Sequence, residues 1–226
     1  MGSLAEYATA AEDKVASKPA NVTFEQAASV PTAALTALQA LRDKGKLQAG
    51  QTVLINGAAG GVGTFAEQIA KALGAEVTGV CSTANVDMVT SLGADHVVDY
   101  TKDDFAAATA RFDVMLDNVG NRALPDCRRV LQPRGIYVIV GGQKKGRLLG
   151  PAGRMIKALA VFLFAGQKAA PMLAKINRDD LAVLADMLAS GTITPVIDRT
   201  YSLADTADAM RHLEGGHTRG KLVVTI

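Results

Sequence analysis

Four glycines crowded between an apolar run and an amphipathic run constrain this chain more than any other feature. Val53, Leu54 and Ile55 precede Gly57, Gly60, Gly61 and Gly63, and Phe65, Ile69, Ala72 and Leu73 follow at helical spacing. Another apolar run, Glu76-Val77-Thr78-Gly79-Val80-Cys81, comes next. The succession reads as a buried strand, a tight turn, a helix and a second strand. Glycine lets the backbone turn sharply and come close to a ligand, while a helix start directs unpaired N–H groups at an anion. Such a unit suits the pyrophosphate of a dinucleotide, with the N–H groups of Gly60, Gly61 and Val62 as donors and Gly57 shaping the turn.

From residue 51 onward strands and helices alternate. Strands are predicted at 52–56, 76–81, 95–98, 112–117, 136–140 and 172–176, with helices at 62–73, 85–92, 102–109 and 121–131. That order predicts an α/β fold, a Rossmann doubly wound parallel sheet. Before it, residues 4–10 read as a strand, and Thr23 with Gln26 has the spacing of a capping box. After Asn177 the pattern changes to a helix at 179–189, a strand near Val196, a helix at 202–214 and a last strand at 221–226. With 226 residues, 49% of them apolar, the chain has enough to fill a sizeable core.

The glycine spacing, G-x-x-G-G-x-G, departs from the commoner dinucleotide fingerprint. Taken with the helical run at 33–41, Ala94-Asp95-His96-Val97-Val98-Asp99-Tyr100 and Phe112-Asp113-Val114-Met115-Leu116-Asp117-Asn118-Val119-Gly120, it resembles the zinc-independent medium-chain dehydrogenases/reductases, quinone oxidoreductase-like branch. Gly135-Ile136-Tyr137-Val138-Ile139-Val140-Gly141-Gly142 and Arg219-Gly220-Lys221-Leu222-Val223-Val224 extend the likeness over nearly the whole chain. The resemblance implies three parts. Residues 1–30 are a remnant of a β-rich, chaperonin-10-like substrate domain with a connecting helix, 31–177 an NAD(P)-binding domain, and 178–226 a return to the substrate domain. It implies too that most of the family's N-terminal domain, and about half of the active-site cleft with it, has no counterpart before Leu4. Thr36 would then sit beside the nicotinamide.

In dinucleotide folds a carboxylate about 20 residues beyond the glycines grips the adenosine ribose and selects NAD. This chain has Cys81-Ser82-Thr83-Ala84-Asn85 there, which favours NADP(H) over NAD(H). Ser82, Thr83, Asn85 and Tyr100 are candidate donors to the 2′-phosphate, although no arginine or lysine stands among residues 82–85. Asn118 and Val119 end one predicted strand, and Gly141, Gly142 and Gln143 end the next. Both ends lie at the carboxyl edge, where open α/β sheets bind ligands, so these residues are candidates for the nicotinamide riboside.

Other chemistries find little support. Twenty-four basic and 22 acidic residues are scattered without a basic stripe, so no nucleic-acid partner is expected. His96, His212 and His217 are not spaced as ligands, and Cys81 and Cys127 form no C-x-x-C pair, so no metal site is expected. The apolar stretch at 155–165 is interrupted by Lys157 and falls short of the roughly 20 residues that span a bilayer. No membrane contact is expected, and a reducing cytoplasm suits the cysteine usage. The reading is an NADPH-dependent, zinc-free reductase of a quinone or enone, with a small-molecule substrate and, by resemblance, a homodimer through the edge beyond the fifth strand. The alternative is a nucleotide-binding module or truncated subunit that needs another chain for activity. A methyltransferase is disfavoured, because no carboxylate ends the second strand. No catalytic acid or base is assignable.

Overall fold

The computed structural model describes residues 4–107, 109–141, 150–162, 166–216 and 218–226. Six parallel strands form the central sheet in the order β3-β2-β1-β4-β5-β6. They are β1 (Thr52–Asn56), β2 (Glu76–Cys81), β3 (His96–Asp99), β4 (Phe112–Asp117), β5 (Leu131–Ile139) and β6 (Lys168–Pro171). This is the doubly wound order, in which the chain winds outward on both sides of β1 and leaves a crevice at the carboxyl edge between β1 and β4.

Alternation along the strands builds two cores. Val53 and Ile55 of β1, Val77 of β2 and Val114 and Leu116 of β4 bury on one face, against helices α2 (Pro31–Gln39), α3 (Gly63–Ala72) and α7 (Arg178–Ala189). Leu54, Val80, Met115, Tyr137 and Ile139 bury on the other, with Phe105, Cys127 of α5 (Leu124–Arg129) and Phe162 of α6 (Gly150–Phe162). Successive strand residues point to opposite faces, so helices must cover both. The remaining helices are α1 (Phe24–Ser29), whose Thr23–Gln26 capping box is formed, and α4 (Val86–Ser91). A separate parallel pair, β7 (Ile197–Ser202) and β8 (Lys221–Thr225), is joined through α8 (Thr206–Glu214). Helix α7 shares its core with α2 and α3.

Four local expectations are corrected. Residues 4–10 form no strand and are exposed, since among the described residues no strand accepts their backbone bonds. The expected helix at 102–109 is a short 3-10 turn, Phe105–Ala107, opened by Asp104, whose Oδ1 accepts Ala106 N–H at 2.9 Å. The sixth strand lies at Lys168–Pro171 rather than 172–176, because the Gln167 amide donates to the carbonyls of Arg128, Leu131 and Gln132 and so fixes the entry into β6. The helix expected at 121–131 is trimmed to Leu124–Arg129.

At the carboxyl edge one carboxyl group joins three strand ends. Asp117 is fully buried; its Oδ1 accepts from Asn56 Nδ2 at 2.8 Å and from Gly120 N–H at 2.8 Å. Its Oδ2 accepts from the Tyr137 hydroxyl at 2.5 Å. Tyr137, stacked on Phe162 with ring centres 5.4 Å apart, is thereby a core residue of β5. Tyr137→Phe is predicted to lower unfolding stability by about 1–3 kcal/mol, the cost of leaving a buried acceptor one donor short. Urea denaturation checks it, and a loss below about 0.5 kcal/mol would show that the bond is energetically idle.

Glu67 is the one fully buried acid for which, among the described residues, both carboxylate oxygens lack a partner. It lies on α3 over Gly79, where an added Cβ would stand 2.5 Å from Glu67 Oε1. Burial pushes its pKa from 4.5 up to about 9. Between those values the folded chain holds a proton that the unfolded chain has released, so this group's contribution falls as pH rises from about 4.5 to about 9. Glu67→Leu is predicted to flatten the decline of melting temperature over that window and to raise it at the alkaline end. Thermal unfolding at several pH values decides the matter: parallel curves for the two proteins would refute it.

Candidate functional site

The crevice at the carboxyl edge is a cleft of about 760 Å3. Its floor is the turn between β1 and α3. Gly57 has φ +81°, and an added Cβ there would stand 2.7 Å from Val119 Cγ2. At Gly63 it would lie 2.2 Å from Gly57 O, so the start of α3 can pack on the turn only without a side chain. The donor set differs from expectation. Gly60 N–H closes the turn on Gly57 O at 3.2 Å, and Gly60 forms an isolated bridge with Gly220. Among the described residues the N–H groups of Gly61, Val62 and Gly63 make no hydrogen bond, so Gly61 and Val62 stay available as donors and Gly63 joins them in place of Gly60.

The wall after β2 is polar and carries no carboxylate among the lining residues. Ser82, Asn85 and Tyr100 line it; Asn85 Nδ2 donates to Ser82 Oγ at 3.1 Å, while Asn85 Oδ1 is buried without a partner among the described residues. Thr83 does not line the cleft. Its hydroxyl donates to Asp99 Oδ2 at 2.5 Å, which, with the bonds from Thr101, holds the Asp99 carboxyl well below the usual carboxylate range. Cys81 lines the cleft as a thiol, its pKa pushed up to about 11 by burial and by the nearby Glu67 and Asp99.

On the opposite wall Asn118 and Val119 line the cleft, joined by Asn121 from the same loop. Both polar atoms of the Asn118 amide are buried and unpartnered among the described residues. Buried amides are rarely left unpaired, so this one marks a place for a polar ligand group. Gly141 is needed for packing: an added Cβ would stand 1.9 Å from Asn118 O. Gly142 and Gln143 lie outside the described residues, as do His217 and the basic run at 144–147. Thr36 is on α2, nearly buried, its hydroxyl donating to Thr32 O at 2.7 Å; it does not line the cleft.

Gly216, Thr218 and Arg219, all from the segment before β8, are among the lining residues that escaped the sequence reading. Gly220 N–H donates to Ala59 O at 2.8 Å and lays this segment along the glycine turn. The run from Arg219 to Val224 had been recognised as an ending, but nothing in its local pattern pairs it with a turn that precedes it by about 160 residues. Among the described residues no three His, Cys, Asp or Glu side chains are grouped as for a metal, and no helix is long and apolar enough to cross a membrane.

Comparison with known proteins converges on one family. The family model described as zinc-binding dehydrogenase matches residues 92–224. Mouse NAD(P)H oxidoreductase RTN4IP1, mitochondrial, is 35% identical over all of this chain and 62% of its own length. Tomato 2-methylene-furan-3-one reductase is 35% identical over 99% of this chain and 53% of its own. The quinone oxidoreductase of Coxiella burnetii superposes with a TM-score of 0.82 at 32% identity, covering 93% of this chain and 63% of that one. The chain thus spans less than two thirds of the length of these relatives. By sequence, sheet order and cleft together, it belongs to the zinc-binding dehydrogenase family of medium-chain dehydrogenases/reductases.

Proposed function

We propose that this chain is the nucleotide-binding part of an NADPH-dependent reductase that delivers hydride to a quinone or an activated alkene without zinc. The observation that carries the reading is the cleft itself. A glycine turn that tolerates no side chain at Gly57 or Gly63 opens at the carboxyl edge between two walls that bear unpaired amide groups. The fit to a dinucleotide is good at each part. Gly61, Val62 and Gly63 would bind the pyrophosphate, Ser82, Asn85 and Tyr100 the adenosine ribose, and Asn118 and Val119 the nicotinamide side. Bound there, a nicotinamide cofactor supplies the hydride, and the protein supplies position and exclusion of water.

NADP over NAD is supported by the lack of a carboxylate at the end of β2, where Cys81 and Ser82 stand. A quinone or enone acceptor is supported by the names of the tomato and Coxiella relatives. The reading assigns no residue of the chain to a metal. A cytoplasmic site and a homodimer belong to the same proposal, the dimer through the free edge of β6, beside which Ile156 and Leu159 of α6 are exposed. A second reading, a cofactor-binding module completed by another chain, is favoured by the coverage of the relatives, whose remaining length would supply the rest of the pocket.

Fluorescence titration of the purified chain with NADPH and NADH, followed by 9,10-phenanthrenequinone, separates the two. Saturable binding with NADPH oxidation is the expected result; binding without oxidation selects the module. Gly61→Asp places a negative charge beside the turn; the new Cβ would stand 2.7 Å from the flexible side chain of Lys221 and 3.2 Å from Gly220 O, and a melting curve verifies that the variant is folded. It is predicted to weaken binding of both dinucleotides by at least about tenfold. Unchanged affinity in that titration would remove the turn from the site.

A further inference from the structure

From Cys127 to Arg178 the sequence holds eleven lysines and arginines and no aspartate or glutamate. The rest of the chain carries all 22 acidic residues against thirteen basic ones, so a nearly neutral protein is strongly polarised along its length. Helix α6 lies inside the acid-free stretch. Ala158 and Phe162 fix it to the sheet, the latter stacked on Tyr137 of β5. Its other side is apolar as well. Ile156 is 61% exposed, Leu159 47% and Val161 37%, with Lys157 exposed among them. A surface helix ordinarily turns its charged residues to water, and one that is apolar all round is ordinarily covered. Among the described residues nothing covers the outer side of α6.

The charges that border this side are positive and uncompensated. Lys157 and Lys168, the first residue of β6, are exposed and make no ion pair among the described residues. Acids of the neighbouring elements are already engaged, Asp126 with Arg129 at 3.1 Å and Asp104 with Arg122 at 3.1 Å. Two copies meeting face to face on α6 would bring lysine to lysine, and like charges repel. Pairing of two β6 edges, by contrast, extends the sheet in its own plane and leaves the outer side of α6, above that plane, open in both copies. An apolar strip bordered by lysines is complementary to an anionic lipid surface, where apolar side chains enter the acyl boundary and the cations stay among the headgroups.

We propose that the outer side of α6, with Ile156, Leu159 and Val161 and the flanking Lys157 and Lys168, docks on the surface of an anionic lipid bilayer. The 13-residue helix, about 20 Å long, lies in the interface. The sequence expectation of no membrane contact concerns the roughly 20 residues of a span, which an interfacial helix does not need.

Co-sedimentation of the full chain with vesicles of phosphatidylcholine, alone or with phosphatidylglycerol, tests this. Partitioning onto the anionic vesicles is expected to exceed that onto the neutral ones by about tenfold or more at low ionic strength and to fall as salt is added. Ile156→Ser with Leu159→Ser should lower it by about tenfold, and Lys157→Glu with Lys168→Glu by about as much. Lys14→Glu with Lys44→Glu, an equal change of charge at exposed positions outside the stretch, should leave it within about twofold. Melting temperatures establish that each variant is folded, and either of the first two pairs decides the point if the other is not. Absence of partitioning onto anionic vesicles would overturn the proposal, as would equal partitioning onto both kinds. An equal loss on Lys14→Glu with Lys44→Glu would make the attraction a property of net charge and overturn it too. Sedimentation equilibrium gives the remaining outcome: a dimer that Ile156→Ser with Leu159→Ser dissociates, without partitioning by either protein, would assign the face to a second copy and overturn the lipid reading.

Discussion

The buried carboxyl group of Asp117 is the point on which the cleft depends. It receives an amide from the end of β1, two backbone N–H groups from the loop after β4 and the Tyr137 hydroxyl from β5. Parallel strands are held along their length by evenly spaced backbone bonds, but at their carboxyl ends those bonds run out. Asp117 replaces them with side-chain bonds, so the loop carrying Asn118 and Val119 leaves the sheet in one direction. Burying a carboxyl group costs least when its oxygens are satisfied, and here several donors converge on it. The cost of its burial is therefore offset by the ordering of three strand ends, and the wall of the cleft follows from that ordering.

Glu67 is the counterexample on the same scaffold. It too is fully buried, a helical turn beyond the glycines, yet no donor reaches it among the described residues. A group in that position keeps its proton rather than its charge. The comparison shows why two buried acids of one domain behave differently: what matters is the convergence of donors, since depth is common to both. Asp117 contributes organisation, and Glu67 imposes a pH-dependent burden on the helix that starts at the glycine turn.

Much of the sheet was legible in the sequence because its signal is local. Val53, Leu54 and Ile55 followed by four glycines specify a strand, a turn and a helix within twenty residues, and β2 and β4 read as apolar runs bounded by turns. Where the reading failed, the deciding contacts lay elsewhere. Gln167 fixes the start of β6 by bonding three carbonyls of the α5–β5 segment, about 35 residues away. Residues 4–10 have a strand-like composition and find no strand to pair with, and backbone bonding, unlike apolar periodicity, cannot be judged from one segment. At the site, the expected residues on the first turn and on the ends of β2 and β4, Thr83 apart, line the cleft because each stands at a strand end. Even there the donor role of Gly60 was misjudged, because its N–H is spent within the turn.

Arg219 marks the limit of such reading and shows what a fold adds to it. The β2 turn looked deficient in positive charge because its neighbours in sequence were counted and its neighbours in space were not. Gly220, with φ +68° and no room for a Cβ beside Val196, lets β8 begin directly on the glycine turn. That close approach is a packing requirement of the β7–α8–β8 unit, and it brings the preceding residue to Ala84 as a consequence. A cation carried in this way is subject to different constraints from one carried on the β2 turn itself. Its position depends on Asp198, on Gly220 and on the contact between the β7–α8–β8 unit and the glycine turn. Movement between those segments would alter the charge at the Ala84 end of the cleft while leaving the glycine turn intact, so the two are mechanically separable parts of one cleft.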